Sequence, residues 1–186
     1  MTGQVYHENL LGLLQRHLEG TADRDERAMT AATVHFARTH ADCLHRTCLT
    51  GHLTGSAFVV DAAREWVLLT HHRKLDRWLQ PGGHADGEAD LLAVALREAR
   101  EETGVAALLP MASEVFDVDR HRIPARAGEP AHWHHDVRFL LQADPSEPLV
   151  VSSESRALAW VPLRELATYN ADESILRMAR KVLSSQ

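Results

Sequence analysis

A glycine-rich turn followed by one well-marked helix constrains the fold of this chain more than any other feature. The turn covers residues 79–87 and reads Leu-Gln-Pro-Gly-Gly-His-Ala-Asp-Gly. A helix is predicted from about Asp90 to Thr103, and Gly104 should end it, because glycine readily takes the left-handed conformation that follows a helix. Each helical residue advances about 100°, so the apolar side chains fall in one sector that can pack on a sheet: Leu92, Ala95, Leu96, Ala99 and Thr103.

Three carboxylates occupy the helix sector beside this apolar face. Glu98, Glu101 and Glu102 project from the last turns and would repel one another without a compensating charge. A hard divalent cation prefers oxygen ligands and would offset this repulsion. Arg97 stands four residues before Glu101, a spacing that allows the two side chains to pair. An exposed, charged helix end has the same pattern, so the surrounding segment must decide between the two interpretations.

The regions on either side of this helix predict a mixed architecture. Residues 1–50 should form two helices, the first with a leucine stripe and an end at Gly20, the second from about Asp23 to His40. Beyond them, apolar runs predict a hairpin at 57–60 and 66–70, strands near 114–118, 136–142 and 157–161, a polar loop at 119–130, and helices near 163–167 and 174–183. We expect an α/β (α+β) fold in which a mixed sheet is sandwiched between helices. Residues 1–50 are then an N-terminal helical extension and residues 51–186 the main domain.

Composition narrows the classes of function. The 186 residues are 45% hydrophobic, enough for one core, and carry a formal net charge of −6. Such a chain lacks the basic surface that nucleic acids and anionic membranes require. It also lacks a signal-peptide pattern and any window near the ~20 apolar residues of a membrane span. We therefore expect a cytoplasmic protein that binds neither nucleic acid nor membrane, in which metal or arginine assists an anionic substrate.

From Gly83 to Val105 the sequence resembles the Nudix hydrolase family. The family's box reads Gly, five residues, Glu, seven residues, then Arg-Glu-apolar-x-Glu-Glu-x-Gly-apolar, and residues 97–105 match its second half. Ala89 stands where the box has its first Glu, between Glu88 and Asp90. Either Glu88 replaces that acid with a shift of one residue, or Asp90 caps the helix in its place. The resemblance extends from about residue 54 to 183 and leaves the first fifty residues outside it.

The resemblance implies a divalent-metal-dependent pyrophosphohydrolase. Its substrate would be a nucleoside diphosphate linked to another group, as in ADP-ribose-like compounds, nucleotide sugars, dinucleotides and modified nucleotides. Mg²⁺ or Mn²⁺ would neutralise and position the diphosphate and lower the pKa of the attacking water. Carried over to this sequence, Glu98, Glu101 and Glu102 are metal ligands with the Gly82 carbonyl as a fourth, and Arg97 supports them. The general base is one of the glutamates or an acid outside the box.

Substrate contacts are expected from residues outside the helix. Alternation along a strand would place His132, His134 and Asp136 on one face. Trp78 could stack on a nucleobase, although burial under the turn is the commoner use of such a residue. For any single histidine, a structural hydrogen bond or plain exposure is likewise the commoner role. The candidates are His84, Arg73, Trp78, His134, Asp136 and Glu154, of which the two acids are also candidate bases.

Some alternative functions and sites stay open, and others are disfavoured by the sequence. The main one is a catalytically silent Nudix-like module that binds a nucleotide and regulates a partner, although such modules commonly lose box acids. An isoprenoid diphosphate isomerase is disfavoured because the glycine turn contains no cysteine. The group His40, Cys43, His45 and Cys48 does not have the usual zinc spacing. The apolar stripe of the N-terminal helices permits packing on this domain or in a homodimer.

Overall fold

The computed structural model describes residues 2–126 and 128–185, with side chains from residue 7 onward. Five α-helices are present in this part of the chain: α1 (Thr2–Gly20), α2 (Arg24–Thr39), α3 (Leu91–Thr103), α4 (Leu166–Tyr169) and α5 (Glu173–Ser184). Eight strands form one mixed sheet: β1 (Gly51–Val60), β2 (Trp66–His72), β3 (Arg77–Leu79), β4 (Gly82–His84), β5 (Leu109–Pro110), β6 (Asp117–Ile123), β7 (His132–Gln142) and β8 (Ser155–Pro162). The α+β class is therefore confirmed. None of the described helices is long and apolar enough to cross a membrane.

The centre of the sheet is a parallel pair of strands, β1 and β7. Their register runs without a break from Gly51 opposite Trp133 to Val60 opposite Gln142. β2 and β4 pair antiparallel with β1, β6 pairs antiparallel with β7, and β8 pairs antiparallel with β2. Both faces of β1 are buried along its whole length, as expected for a strand covered on both sides of the sheet.

Both ends of helix α3 are capped, and its buried face differs slightly from the predicted apolar face. The Asp90 side chain accepts a hydrogen bond from the Ala93 N–H at 3.1 Å, and Gly104 ends the helix with φ of 76°. Leu91 and Val94 are buried, whereas the predicted Leu92 and Leu96 are only partly buried. The reason is the close approach of β1 at Gly55, where a Cβ atom would lie 2.8 Å from the Leu91 carbonyl oxygen.

Both neighbours of Ala89 make hydrogen bonds at the start of α3. Asp90 caps α3, and the Glu88 carboxylate accepts a hydrogen bond from the Asp90 N–H at 2.8 Å. The expected Asp90 cap is therefore present, and the replacement of the box Glu by Glu88 stays a prediction.

The N-terminal helices pack on the sheet of their own chain. Leu10 and Leu14 of α1 are buried in the same cluster as sheet residues and the α2 residues Val34, Phe36 and Ala37. On β7, His135 stacks on Phe36 with ring centroids 4.3 Å apart and lies 2.9 Å from the Thr33 hydroxyl. The apolar stripe predicted for α1 is thus covered within this chain.

A buried ionic cluster connects α2, β6 and α5. The Lys181 ammonium donates to Glu26 at 2.6 Å and to Asp117 at 2.8 Å, and Arg177 donates to Asp117 at 2.7 Å. Burial alone would raise the pKa of Asp117, but Arg177, Arg138 and Lys181 hold it below its usual range. Glu26 and Asp117 are fully buried. Such charges are tolerated inside a protein only when they are paired.

Strand β6 is where the sequence-based prediction was wrong. A strand was expected at 114–118 and a polar loop at 119–130, whereas β6 spans Asp117–Ile123. Its residues are polar because Asp117 and Asp119 pair with Arg138 of the neighbouring strand. Apolar periodicity cannot reveal a strand whose buried face consists of ion pairs. Strands β3, β4 and β5 were not predicted because they have only two or three residues each.

We predict that Glu26→Gln lowers the free energy of unfolding by about 3 kcal/mol, because it leaves buried cationic partners without their carboxylate. Urea denaturation of the full chain measures the change. Glu19→Gln is the matched control, since Glu19 is exposed and bonds only to the nearby Gln15 within the described residues, and it should shift stability by less than about 0.5 kcal/mol. Equal effects of the two substitutions would contradict the structural role given to the cluster.

Candidate active site

The glutamates of α3 meet the backbone of the short strand β4. The Gly82 N–H donates to the Glu102 carboxylate at 3.3 Å. A Cβ atom at Gly83 would overlap the carboxyl group of Glu98, and one at Gly82 would overlap the Ser56 side chain on β1. Both glycines are therefore required for close packing: Gly82 lets β4 approach β1, and Gly83 leaves room for Glu98.

Arg97 contacts a different glutamate from the one expected. Its guanidinium donates to Glu98 at 2.8 Å and to the His84 carbonyl at 3.2 Å. The hydrogen bond with Glu98 and the charges of Glu98 and Glu101 raise the pKa of Arg97. The predicted pairing with Glu101 is thus replaced by a bridge from Glu98 to β4. Arg97 points towards Glu98 because it also binds the His84 carbonyl. The sequence pattern could not predict that this carbonyl lies beside α3.

Glu102 is the buried member of the carboxylate group. Burial raises its pKa to about 7, and the negative charges of Glu98 and Glu154 add to this effect, whereas hydrogen bonds from Gly82 and Thr70 oppose it. Glu101, in contrast, is exposed. In the described part of the chain, no Lys, Arg or His nitrogen lies within 4.0 Å of the Glu101 or Glu102 carboxylate. These two acids therefore have no directly paired protein cation.

The three glutamates occupy one end of α3 without converging on a single point. Glu98 is paired with Arg97, Glu102 with the Gly82 N–H, and Glu101 extends into solvent. Over residues 2–126 and 128–185, the one set of three or more His, Cys, Asp or Glu side chains that converges closely enough for a metal is elsewhere, at His52, His132 and His134. The glutamates nevertheless offer hard oxygen donors and an uncompensated negative charge, which suit Mg²⁺ or Mn²⁺.

The two candidate acids outside α3 differ in their surroundings. Asp136 is buried on β7 and accepts hydrogen bonds from Thr54 at 2.9 Å, Ser56 at 2.6 Å and Arg138 at 2.7 Å. Its oxygens are thus largely occupied by neighbouring side chains. Glu154 lies close enough to Glu102 to raise the pKa of that residue. Of the two, Glu154 is the acid with an electrostatic link to the glutamates.

Arg73 and Trp78 lie on the β2–β3 side of the sheet. The Arg73 guanidinium donates to the carbonyls of Ser153 at 3.0 Å and Ser155 at 2.8 Å, so it holds the segment that carries Glu154. The Trp78 ring stacks on His71 with centroids 4.9 Å apart and meets Tyr169 edge to face at 5.6 Å. Together, His71, Trp78 and Tyr169 form an aromatic group, and Tyr169 is exposed.

The remaining histidine candidates, His84 and His134, lie close to each other and apart from the glutamates. Cys43 and Cys48 lie elsewhere and do not converge with histidines on a metal site in the described part of the chain. His84 and His134 have ring centroids 5.0 Å apart, on the sheet face next to the Thr54–Asp136 pair. Cys43 and Cys48 are buried free thiols, and burial, with Cys48 and Asp42, raises the pKa of Cys43 to about 11. They form no metal-ligand group with His40 and His45 in the part of the chain that the structure describes.

One residue near the glutamates and the steric role of another were not found by sequence reasoning. Thr70 on β2 opposes the rise in the pKa of Glu102, and Gly83, predicted as the first glycine of the box, makes room for Glu98. No local signal marks Thr70, since it reaches the site from a strand that precedes α3 by some twenty residues. The steric role of Gly83 follows from the strand–helix contact, which a sequence pattern does not contain.

A family model described as the NUDIX domain matches residues 52–182. The chain belongs to the Nudix family. It is a hydrolase acting on phosphorus-containing acid anhydrides, as the resemblance implied. Among similar proteins, the mouse bis(5'-nucleosyl)-tetraphosphatase [asymmetrical] is 28% identical over 125 residues, which are 65% of this chain and 82% of the mouse protein. The rat protein of the same description is 27% identical over 125 residues, with the same shares of the two chains.

Solved structures share the fold of this Nudix hydrolase. A Caenorhabditis elegans Ap4A hydrolase binary complex matches with a TM-score of 0.57 and 18% identity, over 72% of this chain and 98% of that chain. A NUDIX family hydrolase from Clostridium perfringens matches with a TM-score of 0.53 and 26% identity, over 72% and 96%. These matches show that the curled mixed sheet with its helices has the Nudix fold.

We predict that Gly83→Ala leaves the Nudix domain folded but lowers kcat/KM by about 10- to 100-fold, because the new methyl group displaces the Glu98 carboxyl group. Circular dichroism and steady-state hydrolysis rates test the two parts. Gly12→Ala is the control: its Cβ would lie 3.5 Å from the Arg16 side chain, an ordinary contact, and activity should not change. Wild-type kcat/KM in the folded Gly83 variant would refute the steric argument.

Proposed function

We propose that this Nudix hydrolase is a divalent-metal-dependent pyrophosphohydrolase that cleaves a nucleoside diphosphate linked to another group. The observation that carries the proposal is the buried Glu102 carboxylate, which lies near Glu98 and Glu154 without a paired protein cation. Dinucleoside polyphosphates are the first substrates to test, since the mouse and rat relatives are described as bis(5'-nucleosyl)-tetraphosphatases. ADP-ribose-like compounds, nucleotide sugars and modified nucleotides follow.

Glu98, Glu101 and Glu102 would hold Mg²⁺ or Mn²⁺, with the Gly82 carbonyl as a further oxygen donor. When bound, such an ion neutralises the diphosphate and lowers the pKa of water. Neighbouring groups of the chain position two of these ligands. Arg97 fixes the Glu98 rotamer by bridging to the His84 carbonyl, and the Gly82 N–H orients Glu102. Glu101 is exposed and makes no side-chain hydrogen bond or ion pair in the described part of the chain, so it is the glutamate best able to reorient.

Glu154 is proposed as the general base ahead of Asp136. A base needs an unoccupied carboxylate oxygen within reach of the attacking water. The Asp136 oxygens are taken up by Thr54, Ser56 and Arg138, whereas the side chain of Glu154 is exposed and lies near Glu102. Asp136 would then act by positioning Ser56, against which Gly82 packs.

The aromatic group of His71, Trp78 and Tyr169 is proposed to bind the nucleobase. Flat rings with a half-buried tryptophan suit stacking on any base. Arg73 would act indirectly by holding the segment around Glu154. His84 and His134 lie on the sheet face of the Thr54–Asp136 pair, and we propose that they contact the distal part of the group attached to the diphosphate.

The remaining assignments are also proposals. We propose that residues 51–186 carry the catalytic function and that residues 1–50 are a helical extension that stabilises it through the shared core. A cytoplasmic location and a small-molecule nucleotide partner are proposed from the sequence. Because the α1 stripe is covered within the chain, a homodimer would have to form through another surface. Sedimentation of the full chain decides between monomer and dimer.

We predict that Glu101→Gln combined with Glu102→Gln lowers hydrolysis of the preferred substrate by about 100-fold or more, because each substitution removes negative charge from the metal ligands. The assay measures Mg²⁺- or Mn²⁺-stimulated release of phosphate-containing products from diadenosine tetraphosphate, ADP-ribose, nucleotide sugars, oxidised nucleoside triphosphates and NADH. Glu114→Gln is the control, since Glu114 is exposed and pairs with Arg16. Full activity in the double variant would refute the glutamates' role. Nucleotide binding without any hydrolysis by the wild type would favour the silent regulatory module.

We predict that Trp78→Ala raises KM about tenfold with a smaller change in kcat, because stacking on a base is worth about 1–3 kcal/mol in binding. Trp66→Ala is the matched control, as Trp66 is 40% exposed and lies at the start of β2, away from β3. Initial rates over a range of substrate concentrations separate the two parameters. A lower kcat with unchanged KM would rule out a base-stacking role.

A further inference from the structure

Five histidine rings gather on one face of the sheet, beyond the Thr54–Asp136 pair. The parallel register sets His52 on β1 opposite His134 on β7, and the antiparallel register sets His121 on β6 opposite His134. The rings of His84 and His132 lie 5.0 Å and 5.2 Å from that of His134. Alternation along each strand therefore directs these side chains to a common point.

Three of the rings have ligand atoms close enough for one metal ion. A ring nitrogen from each of His52, His132 and His134 lies within 4.8 Å of the other two. The Nε2 atoms of His52 and His134 face each other at 3.1 Å. At that distance one ring must carry a proton and the other a lone pair, so this contact satisfies only a single hydrogen bond.

His132 is held in the tautomer that a metal ligand requires. Its Nδ1 lies 2.9 Å from the Pro130 carbonyl and must donate to it, because a carbonyl can only accept. In the neutral ring the Nε2 atom then carries the lone pair, and this atom is buried without a hydrogen-bond partner among the described residues. A hydrogen bond from Nδ1 to a backbone carbonyl is the arrangement that orients histidine ligands in metal sites.

The surroundings of His134 and His84 disfavour the charged form of these two rings. Burial lowers the pKa of His134 to about 2, and the neighbouring histidines add to the effect. Burial, with Arg46 and His52, lowers the pKa of His84 to about 4. Neutral imidazoles do not attract phosphate, but they are the form that binds metal. The exposed Glu129 carboxylate, 3.7 Å from His132 Nε2, supplies a negative charge at the rim.

We propose that His52, His132 and His134 bind one Zn²⁺ ion, at a site distinct from the glutamates of α3. Imidazole nitrogens select zinc and other late transition metals, whereas Mg²⁺ and Mn²⁺ prefer carboxylate oxygens. Three protein ligands leave a position open, and His84 is the nearest further histidine, with its ring 5.0 Å from that of His52. The geometry that supports this site is independent of the proposed substrate and reaction.

The test uses the full chain, stripped with a chelator and then held in excess Mg²⁺ so that the carboxylate site is occupied. Zn²⁺ is added, unbound metal is removed by gel filtration, and bound zinc is counted by mass spectrometry. We expect about one zinc per wild-type chain and at least a tenfold weaker affinity in His132→Gln and His134→Gln. His121→Gln is the matched control, because His121 borders the cluster but pairs with Asp119 at 2.9 Å, and it should still bind zinc.

Each other outcome overturns the proposal. No zinc on the wild type removes the site, and unchanged binding by the His132 and His134 variants places zinc elsewhere, with Cys43 and Cys48 as the next residues to replace. If a variant does not fold, nitrogen NMR of wild-type histidine side chains decides the matter. Zinc must then shift the resonances of the ring nitrogens of His52, His132 and His134 and leave the resonances of the His121 ring unchanged.

Discussion

The parallel pairing of β1 with β7 is the constraint on which the rest of the structure depends. It joins residues 82 positions apart in the sequence, such as His52 and His134, and it runs over the full length of β1. Side chains alternate between the two faces of a sheet, so a slip of one residue would exchange the faces. The register therefore decides that apolar, ionic and imidazole side chains occupy successive positions on the same face: Phe58 and Leu140, then Ser56 and Arg138, then Thr54 and Asp136, then His52 and His134.

The glutamates of α3 lie on the opposite face of the sheet, and their position depends on three glycines that allow close backbone contacts. Gly55 allows α3 to approach β1, and Gly82 allows β4 to approach the same strand from its edge. Helix and strand thus meet at one place, with Glu98 beside Gly83 and Glu102 beside the Gly82 N–H. A carboxylate on a helix that lacked this contact would be solvated, with a pKa near its ordinary value. The backbone approach is what buries Glu102.

The predictability of each element depends on whether its signal is local. Helix α3 and its glutamates could be predicted because the cap, the glycine end and the apolar spacing all lie within the segment. Strand β6 could not, since Asp117 and Asp119 are buried only by virtue of Arg138 and Arg177 elsewhere in the chain. The pairing of His52 with His134 could not be predicted for the same reason, because the two residues lie on strands that are distant in the sequence. The alternation of His132, His134 and Asp136 on one strand was visible, whereas their partners across the sheet were not.

The ionic cluster also gives helix α2 a physical connection to the glutamates of α3. Arg138 is buried, and although burial would lower its pKa, Asp136, Asp119 and Asp117 raise it, so the guanidinium stays charged. It therefore joins the α2 cluster to the Asp136 hydrogen bonds. The contacts run in order through Glu26, Lys181, Asp117, Arg138, Asp136, Ser56, Gly82 and Glu102. Loss of one charge in this series removes a partner from each of its neighbours. The extension also contacts the glycine turn before α3 directly, since Arg46 donates to Asp86 at 2.7 Å and the Gly87 N–H donates to the Leu44 carbonyl at 2.9 Å.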